Sequence, residues 1–251
     1  MHRPQLTREH FDAVLFDLDG VLTATAKLHA AAWKRMFDHF LQRWAATRGE
    51  TFIPFDSADD YLRYVDGRPR FDGVRSFLAS RGISLPPGTP DDPATAETVC
   101  GLGNWKNEIV NEIMDSEKVE AYPGSIRAVE LLRERGFRTA VVSSSENCAA
   151  VLRSAGIDAL FDARIDAHTA TDLGLRGKPE PDMFLIAAQR LGADPARSIV
   201  VEDAIAGVQA GKKGGFGLVI GIARAGNADA LREQGADIVV GDLEELLPAR
   251  S

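Results

Sequence analysis

The sequence has few cysteines and no excess of positive charge, and each absence excludes a class of protein. Its 251 residues include two cysteines, Cys100 and Cys148, which lie far apart and lack the spacing of a zinc site. They form no disulfide framework and indicate reduced thiols in a reducing compartment. The formal net charge of −8 argues against nucleic acid or an anionic membrane as the main partner, but it does not exclude an anionic small molecule.

The sequence also lacks long apolar segments. Residues 1–10 are polar and charged, without the apolar stretch of a secretory signal. No run elsewhere approaches the roughly 20 apolar residues of a membrane span. We therefore expect a cytoplasmic protein with no membrane partner.

Five short apolar runs, rich in Val and Ile, are typical of strands that are covered on both faces. The predicted strands are 13–16, 139–142, 198–201, 218–220 and 238–240. Helical patterns alternate with them and most end at a glycine. The predicted helices are 125–135, 147–155, 183–191 and 227–234. This alternation predicts an α/β fold, with a three-layer Rossmann-like core built on a parallel sheet.

One stretch interrupts the alternation. It holds helical candidates and a Pro/Gly/Asp-rich loop between Pro86 and Pro93, but no strand run of comparable strength. The predicted helices are 29–44, 73–80 and 96–114. We predict that residues 27–119 form an inserted helical cap domain and that residues 1–26 and 120–251 form the core.

Paired acids follow two of the predicted strands. Asp17 and Asp19 follow the first strand, and Glu202 and Asp203 follow the third. Ligands of open parallel sheets bind at the carboxyl ends of the strands, so we expect these four acids to converge. Close carboxylates repel one another unless a cation lies among them, and Mg²⁺ prefers such oxygen ligands. The pattern predicts a magnesium site at all four acids.

The first acidic pair also suits covalent chemistry. Asp17 and Asp19 are two residues apart at the end of a strand, and Gly20 permits the turn that follows. One carboxylate can attack a phosphoryl group while the other transfers a proton. Taken alone, Asp-x-Asp-Gly is more often a turn, and Glu202-Asp203 is equally compatible with a helix N-cap.

Two further segments can bind phosphate. Ser143, Ser144 and Ser145 follow a strand and precede a helix, where hydroxyl and backbone N–H groups form anion sites. Simple N-capping explains them equally well. Lys178 lies between Gly177 and two prolines, which constrain its backbone, although an isolated Gly-Lys-Pro is usually an exposed loop.

Four motifs, in this order, resemble the haloacid dehalogenase superfamily: FDLDGVLT at 16–23, VVSSS at 141–145, GKPEPDMF at 177–184 and VVEDAIAGVQAG at 200–211. The helical insert looks like that superfamily's cap of the first type. The resemblance implies that Asp17 is the nucleophile and Asp19 the general acid/base. It also implies that Ser143 and Lys178 bind the phosphoryl group and that Glu202 and Asp203 are the acids on the magnesium side. We extend the phosphate-binding set to Ser144, Ser145 and Asn147.

Within the superfamily, the cap looks most like that of the β-phosphoglucomutases. The resemblance implies that His29 holds the acid/base Asp in check until substrate binds. It also implies a set of substrate-binding residues, with Arg70 in the position that holds the non-transferring phosphate. The set is Trp33, Gly67, Arg68, Arg70 and Lys106. Without the resemblance, His29 and Trp33 are a packed helix pair and the arginines are solvated charges.

Two positions depart from the family pattern. Ala24 stands where relatives often have Asp, and Glu146 stands where the mutase has a phosphate-contacting lysine. These departures bear on the substrate rather than on the chemistry.

Three functions follow as hypotheses. The first is a β-phosphoglucomutase-type enzyme that uses Mg²⁺ and a sugar phosphate and acts as a monomer or weak homodimer. The second is a small-molecule phosphatase on the same scaffold. The third is a non-catalytic binding protein that kept the fold.

Overall fold

A computed structural model describes residues 6–116 and 119–247. The chain divides into two compact units, residues 1–24 with 119–251 and residues 25–118. The ends of the predicted core, 1–5 and 248–251, and residues 117–118 of the predicted cap lie outside the described residues. We call the two units the core unit and the cap unit and describe each by itself.

The core unit contains a six-stranded parallel sheet with the order β3-β2-β1-β4-β5-β6. Its strands are β1 (Ala13–Phe16), β2 (Arg138–Val142), β3 (Ala163–Ile165), β4 (Ser198–Glu202), β5 (Leu218–Ile222) and β6 (Ile238–Val240). Phe16, the last residue of β1, pairs with Val141 on one side and Val201 on the other. The segments that follow β1, β2 and β4 therefore leave the sheet side by side.

Helices fill the connections between the strands. They are α4 (Pro123–Glu134), α5 (Cys148–Ser154), α6 (Ala167–Leu173), α7 (Asp182–Arg190), α8 (Ile205–Lys213) and α9 (Ala228–Glu233). Ala13 and Leu15 of β1 join an apolar cluster with α7 and α8, and the alternation along the strand points the equally buried Val14 and Phe16 to the other face. The predicted α/β fold with a parallel sheet is confirmed.

Three elements of the core escaped the sequence analysis. The strand β3 has three residues, and the exposed Arg164 interrupts its apolar pattern. The helix α6 has only seven residues, and the Asp166 side chain caps it by accepting from the Thr169 N–H. Glycines at 207 and 211 lower the helix propensity of α8, but its tertiary packing requires them. A Cβ at Gly211 would lie 3.0 Å from Val219.

The cap unit is helical, and no strand occurs among its described residues, 25–116. Its helices are α1 (Ala26–Arg48), α2 (Arg70–Ser80) and α3 (Val99–Ser116), with a π-helical turn at Tyr61–Val65. The rings of Phe37, Phe55 and Phe77 form its centre, with centroids 4.2 to 5.2 Å apart. α1 runs beyond its predicted end to Arg48 and stops at Gly49, whose φ of 67° suits a left-handed C-cap. Among the described helices, none is long and apolar enough to cross a membrane.

Candidate active site

The end of β1 carries a buried ion-pair network. Asp17 is 6% exposed, and its Oδ1 accepts from Lys178 Nζ at 2.5 Å. The same ammonium group lies 2.6 Å from Glu202 Oε1 and donates to the Val142 carbonyl at 2.9 Å. Residues from the ends of β1, β2 and β4 therefore meet at one lysine, which comes from the loop before α7.

Asp203 lies close to two acids of this network. Oxygen atoms of Asp17, Glu202 and Asp203 lie within 4.8 Å of one another. Gly20, with a φ of 85°, makes room for this approach, because a Cβ there would lie 1.8 Å from Asp203 Oδ2. Gly207 does the same for Glu202, since its Cβ would lie 1.8 Å from Oε1.

The electrostatics follow from burial and from the number of acids. Burial raises the pKa of Asp17 well above its ordinary value; Lys178 opposes this shift, and Glu202 and Asp19 add to it. Burial alone would lower the pKa of Lys178, but Asp17 and Glu202 reverse that effect and raise it. Lys178 is therefore a fixed cation, and the acids around it outnumber it.

This donor set fits a hard divalent cation. Three carboxylates converge here, and among the described residues the ammonium group of Lys178 is the cation that contacts two of them, Asp17 and Glu202. Negative charge is therefore in excess. Mg²⁺ is bound in proteins by such oxygen ligands. Asp17, Glu202 and Asp203 are the residues that would hold it.

Asp19 is not among the three clustered acids. It is close enough to Asp17 for its charge to raise the pKa of that carboxyl. The roles of Asp19 as general acid/base and as metal ligand therefore remain predictions. The acid/base role requires only that its carboxyl lies near Asp17.

The serine segment lies beside the same strand end. Ser143 is fully buried, and its Oγ accepts from the Ser145 N–H at 3.1 Å. Ser145 Oγ accepts from the Asn147 N–H at the same distance. The helix that follows, α5, begins only at Cys148, three residues after Ser145. The hydroxyl oxygens of Ser143 and Ser145 therefore accept hydrogen bonds within the turn 143–147, and each hydroxyl hydrogen can be donated to another group.

In the cap unit, α1 and α3 bring three of the predicted residues together. Lys106 is 5% exposed, and its Nζ lies 2.8 Å from His29 Nδ1. The same ammonium group lies 5.0 Å from the centre of the Trp33 ring, a cation–π distance. His29 and Trp33 lie on one helix, as expected for a packed helix pair, and both also contact the buried Lys106.

Arg70 begins α2 and is held by α3. Its Nε and Nη2 donate to Asn104 Oδ1 at 3.3 and 3.0 Å. Asn104 in turn donates to the Pro90 and Asp92 carbonyls, which ties the arginine to the Pro/Gly/Asp-rich loop. Gly67 and Arg68 lie in the turn before α2 and are half-buried, with Gly67 at a φ of 69°.

Residues that were not predicted from the sequence hold the turns that carry the acids. Arg224 donates from Nε to the Gly20 carbonyl at 3.1 Å, and Asn227 donates to the Asp203 carbonyl at 3.0 Å. Gly207 stood inside a quoted motif, so its position was visible but its contact with Glu202 was not. Arg224 carries no local signal, because 204 residues separate it from Gly20.

The chain matches the family model described as haloacid dehalogenase-like hydrolase over residues 11–215. A β-phosphoglucomutase of Mycobacterium bovis is 50% identical over 242 residues, which cover 95% of this chain and 92% of the relative. A phosphorylated carbohydrates phosphatase of Thermotoga maritima is 27% identical and covers 91% of this chain and 94% of its own length.

The fold agrees with these similarities. The crystal structure of a β-phosphoglucomutase from Clostridium difficile superposes with a TM-score of 0.71 at 25% identity. The match covers 94% of this chain and 93% of that one. The motifs that carry the site lie in the core unit, and all of their quoted residues fall within the range that the family model matches.

Proposed function

Because the chain belongs to the haloacid dehalogenase-like hydrolase family and is β-phosphoglucomutase-like, we propose that it interconverts β-glucose 1-phosphate and glucose 6-phosphate. The chain is an enzyme of the phosphotransferase type. The third hypothesis, a non-catalytic binding protein, is therefore set aside.

One observation carries the chemistry that we propose. Asp17, at the end of the central strand β1, is buried against Lys178 and shares a cluster with Glu202 and Asp203. This arrangement supports a carboxylate that attacks phosphorus, with positive charge close to the oxygens on which negative charge develops. The 50% identity to a β-phosphoglucomutase supports the sugar phosphate as substrate.

In one proposed half-reaction, a carboxylate oxygen of Asp17 attacks one phosphoryl group of the 1,6-bisphosphate in line, forms an aspartyl phosphate and releases a sugar monophosphate. Lys178 neutralises an equatorial oxygen, and the hydroxyls of the Ser143 turn donate to others. Asp19 protonates the departing sugar oxygen. Mg²⁺, when bound, supplies further positive charge to the phosphoryl oxygens.

In the other half-reaction, the 6-hydroxyl of β-glucose 1-phosphate takes the phosphoryl group from the aspartyl phosphate, and Asp19 accepts the hydroxyl proton. This step forms the 1,6-bisphosphate, which has to reverse its orientation toward Asp17 so that its 1-phosphoryl group returns to Asp17 and glucose 6-phosphate leaves. We further propose that Arg70 binds the phosphate that is not being transferred. Trp33 and Lys106 are proposed to contact the sugar phosphate with the Gly67-Arg68 turn. His29, which lies beside them, is proposed to hold Asp19 in check until substrate binds.

A phosphatase is the second candidate, and the Thermotoga relative favours it. The two reactions share the nucleophile and the lysine and differ in the acceptor of the phosphoryl group. In the phosphatase, water takes the place of the sugar hydroxyl.

Two parallel assays separate these candidates. The purified chain is incubated with β-glucose 1-phosphate, Mg²⁺ and a trace of glucose 1,6-bisphosphate. Glucose 6-phosphate is followed through a coupled dehydrogenase, and free phosphate is measured in the same reaction. The mutase predicts glucose 6-phosphate with little free phosphate, and the α-anomer serves as the matched control. Phosphate release without glucose 6-phosphate would eliminate the mutase.

A further inference from the structure

The loop after β5 contacts both of the turns that carry the candidate site's acids. It runs from Ala223 to Asn227, between β5 and α9. Arg224 Nε donates to the Gly20 carbonyl, in the turn that follows Asp17 and Asp19. Asn227 Nδ2 donates to the Asp203 carbonyl, at 3.0 Å. One short loop therefore holds a backbone oxygen in each turn.

Arg224 uses all three nitrogens of its guanidinium group. Besides Nε, its Nη1 donates to Asp242 Oδ2 at 2.7 Å, and its Nη2 donates to Ser125 Oγ at 3.2 Å. The guanidinium carbon lies 3.7 Å from the centre of the Tyr122 ring. These contacts fix the position and the plane of the group, which a lysine ammonium could not reproduce.

Its partners are themselves anchored to the same turn or to the backbone. Ser125 is fully buried, and its Oγ donates to the Val21 carbonyl at 2.6 Å, next to the Gly20 carbonyl that Arg224 holds. Asp242 caps a short 3₁₀ helix and accepts from the Glu244 N–H at 2.9 Å. Arg224 and Ser125 therefore fix two consecutive carbonyls of the turn.

That turn determines where Asp203 can lie. Gly20 is so close to Asp203 that a Cβ on it would lie 1.8 Å from Oδ2. A small displacement of Gly20 therefore either collides with the carboxylate or opens a gap beside it. Asn227 restrains Asp203 as well, by donating to its backbone carbonyl, so the Asp203 carboxylate is positioned from two directions.

From these contacts, we infer that Arg224 and Asn227 are positioning residues that set the distance between the Asp17 turn and Asp203. The inference rests on the proposed function, in which both acids hold Mg²⁺. The Arg224–Asp242 pair is partly buried, with side chains 19% and 33% exposed, and it helps to fix the guanidinium group against the Gly20 turn. The role of Arg224 is therefore to hold the turn.

The test measures Mg²⁺ binding directly, by isothermal calorimetry on the purified full chain without substrate. The variants are Arg224→Met, Arg224→Lys and Asn227→Ala. The matched control is Arg232→Met, because Arg232 lies on α9 and pairs with Asp229 at the surface. Circular dichroism and thermal unfolding establish that each variant is folded.

We expect Arg224→Met to weaken Mg²⁺ binding by about 10- to 100-fold, as removal of a second layer of contacts around a metal does. Arg224→Lys should fall between Met and wild type, and Asn227→Ala should also weaken binding. The apparent Mg²⁺ requirement for kcat should rise in parallel, while KM for the sugar phosphate changes less. Arg232→Met should bind as wild type does.

A folded Arg224→Met variant that binds Mg²⁺ as tightly as wild type would overturn the inference. If that variant does not fold, Arg224→Lys and Asn227→Ala decide, and wild-type affinity in both would overturn it. A wild-type protein that neither binds Mg²⁺ nor transfers phosphate would instead refute the proposed function. The two failures are thus separated by the behaviour of the wild type.

Discussion

Lys178 of the core unit and Arg70 of the cap unit are held in different ways. In the core unit, the Lys178 side chain is 0% exposed and touches two carboxylates and a carbonyl, which come from three different strand ends. In the cap unit, Arg70 is half-buried at the start of a helix and donates to the Asn104 amide. Removing Lys178 therefore leaves the buried carboxylates of Asp17 and Glu202 without their cation. Removing Arg70 leaves a neutral amide, that of Asn104, without its partner. Stability and chemistry are coupled in the core, and the cap allows them to be changed separately.

The largest effect should come from Asp17, the proposed nucleophile in the core unit. Asp17→Asn keeps the size of the side chain but removes the attacking carboxylate, so phosphoryl transfer should fall by about 10⁴-fold or more. The coupled assay measures this, and Asp229→Asn, at a surface position, is the control. A variant that retains most of the activity would show that another group attacks.

Lys178→Met should show most clearly how much stability depends on the buried ion pairs of the core unit. It leaves Asp17 and Glu202 buried without their cation, which typically costs about 3–5 kcal/mol. Lys213→Met is the matched control, because Lys213 pairs with Glu180 at the surface and should cost at most about 1 kcal/mol. Urea unfolding of both variants gives the two values, and equal losses would contradict the coupling in the core.

The pH dependence of stability tests the charge balance around Asp17. Burial raises the pKa of Asp17 in the folded protein; Lys178 opposes this, and Glu202 and Asp19 add to it. The folded state therefore keeps the proton to a higher pH than the unfolded chain, where the carboxyl ionises near pH 3.9, roughly. Stability from this group is complete below that pH and is lost as pH rises through the folded-state pKa.

Without added divalent cation, wild type should accordingly lose stability relative to Asp17→Asn as pH rises from about 4 to about 8. Urea titrations of both proteins across this range measure the difference. A difference that stays constant with pH would mean that the pKa of Asp17 is not raised.

The smallest effect should come from the support of Arg70 in the cap. Asn104→Ala removes the acceptor that orients the guanidinium group, at a cost of about 1 kcal/mol, so KM for the sugar phosphate should rise roughly fivefold. The unfolding midpoint should also fall, because Asn104 donates to the Pro90 and Asp92 carbonyls as well. Arg75→Gln, on the same helix at the surface, is the control.

A double variant sharpens this last prediction. If Asn104 acts through Arg70, its substitution should add nothing to the KM of Arg70→Met. Additive effects would instead place Asn104 in the loop near Pro90, whose carbonyl it also holds.

The core was predictable from the sequence to the extent that its geometry follows from strand ends. Asp17 and Glu202-Asp203 follow apolar runs, and parallel neighbours bring such ends to one edge of the sheet. The strand β3 was missed because Arg164 breaks a run of only three residues. The helix α8 was missed because its glycines serve tertiary contacts that no local pattern encodes.

The cap was less predictable, for a physical reason. Lys106 and His29 are 77 residues apart and meet because α1 and α3 pack together, and a helical pattern does not specify its partner helix. The resemblance to known caps named both residues but not their mutual contact. Neither a helical pattern nor the family resemblance identifies Arg224, because it donates to a backbone carbonyl and lies in no quoted motif.

The contact between Gly207 and Glu202 restricts how this sequence can diverge. A Cβ at 207 would overlap the Glu202 carboxylate, so alanine there would force the Glu202 side chain to move. The shorter aspartate at 202 would relieve the overlap but withdraw the oxygen that Lys178 contacts. The two positions are thus linked, because a change at either one alone disturbs the contact between Glu202 and Lys178.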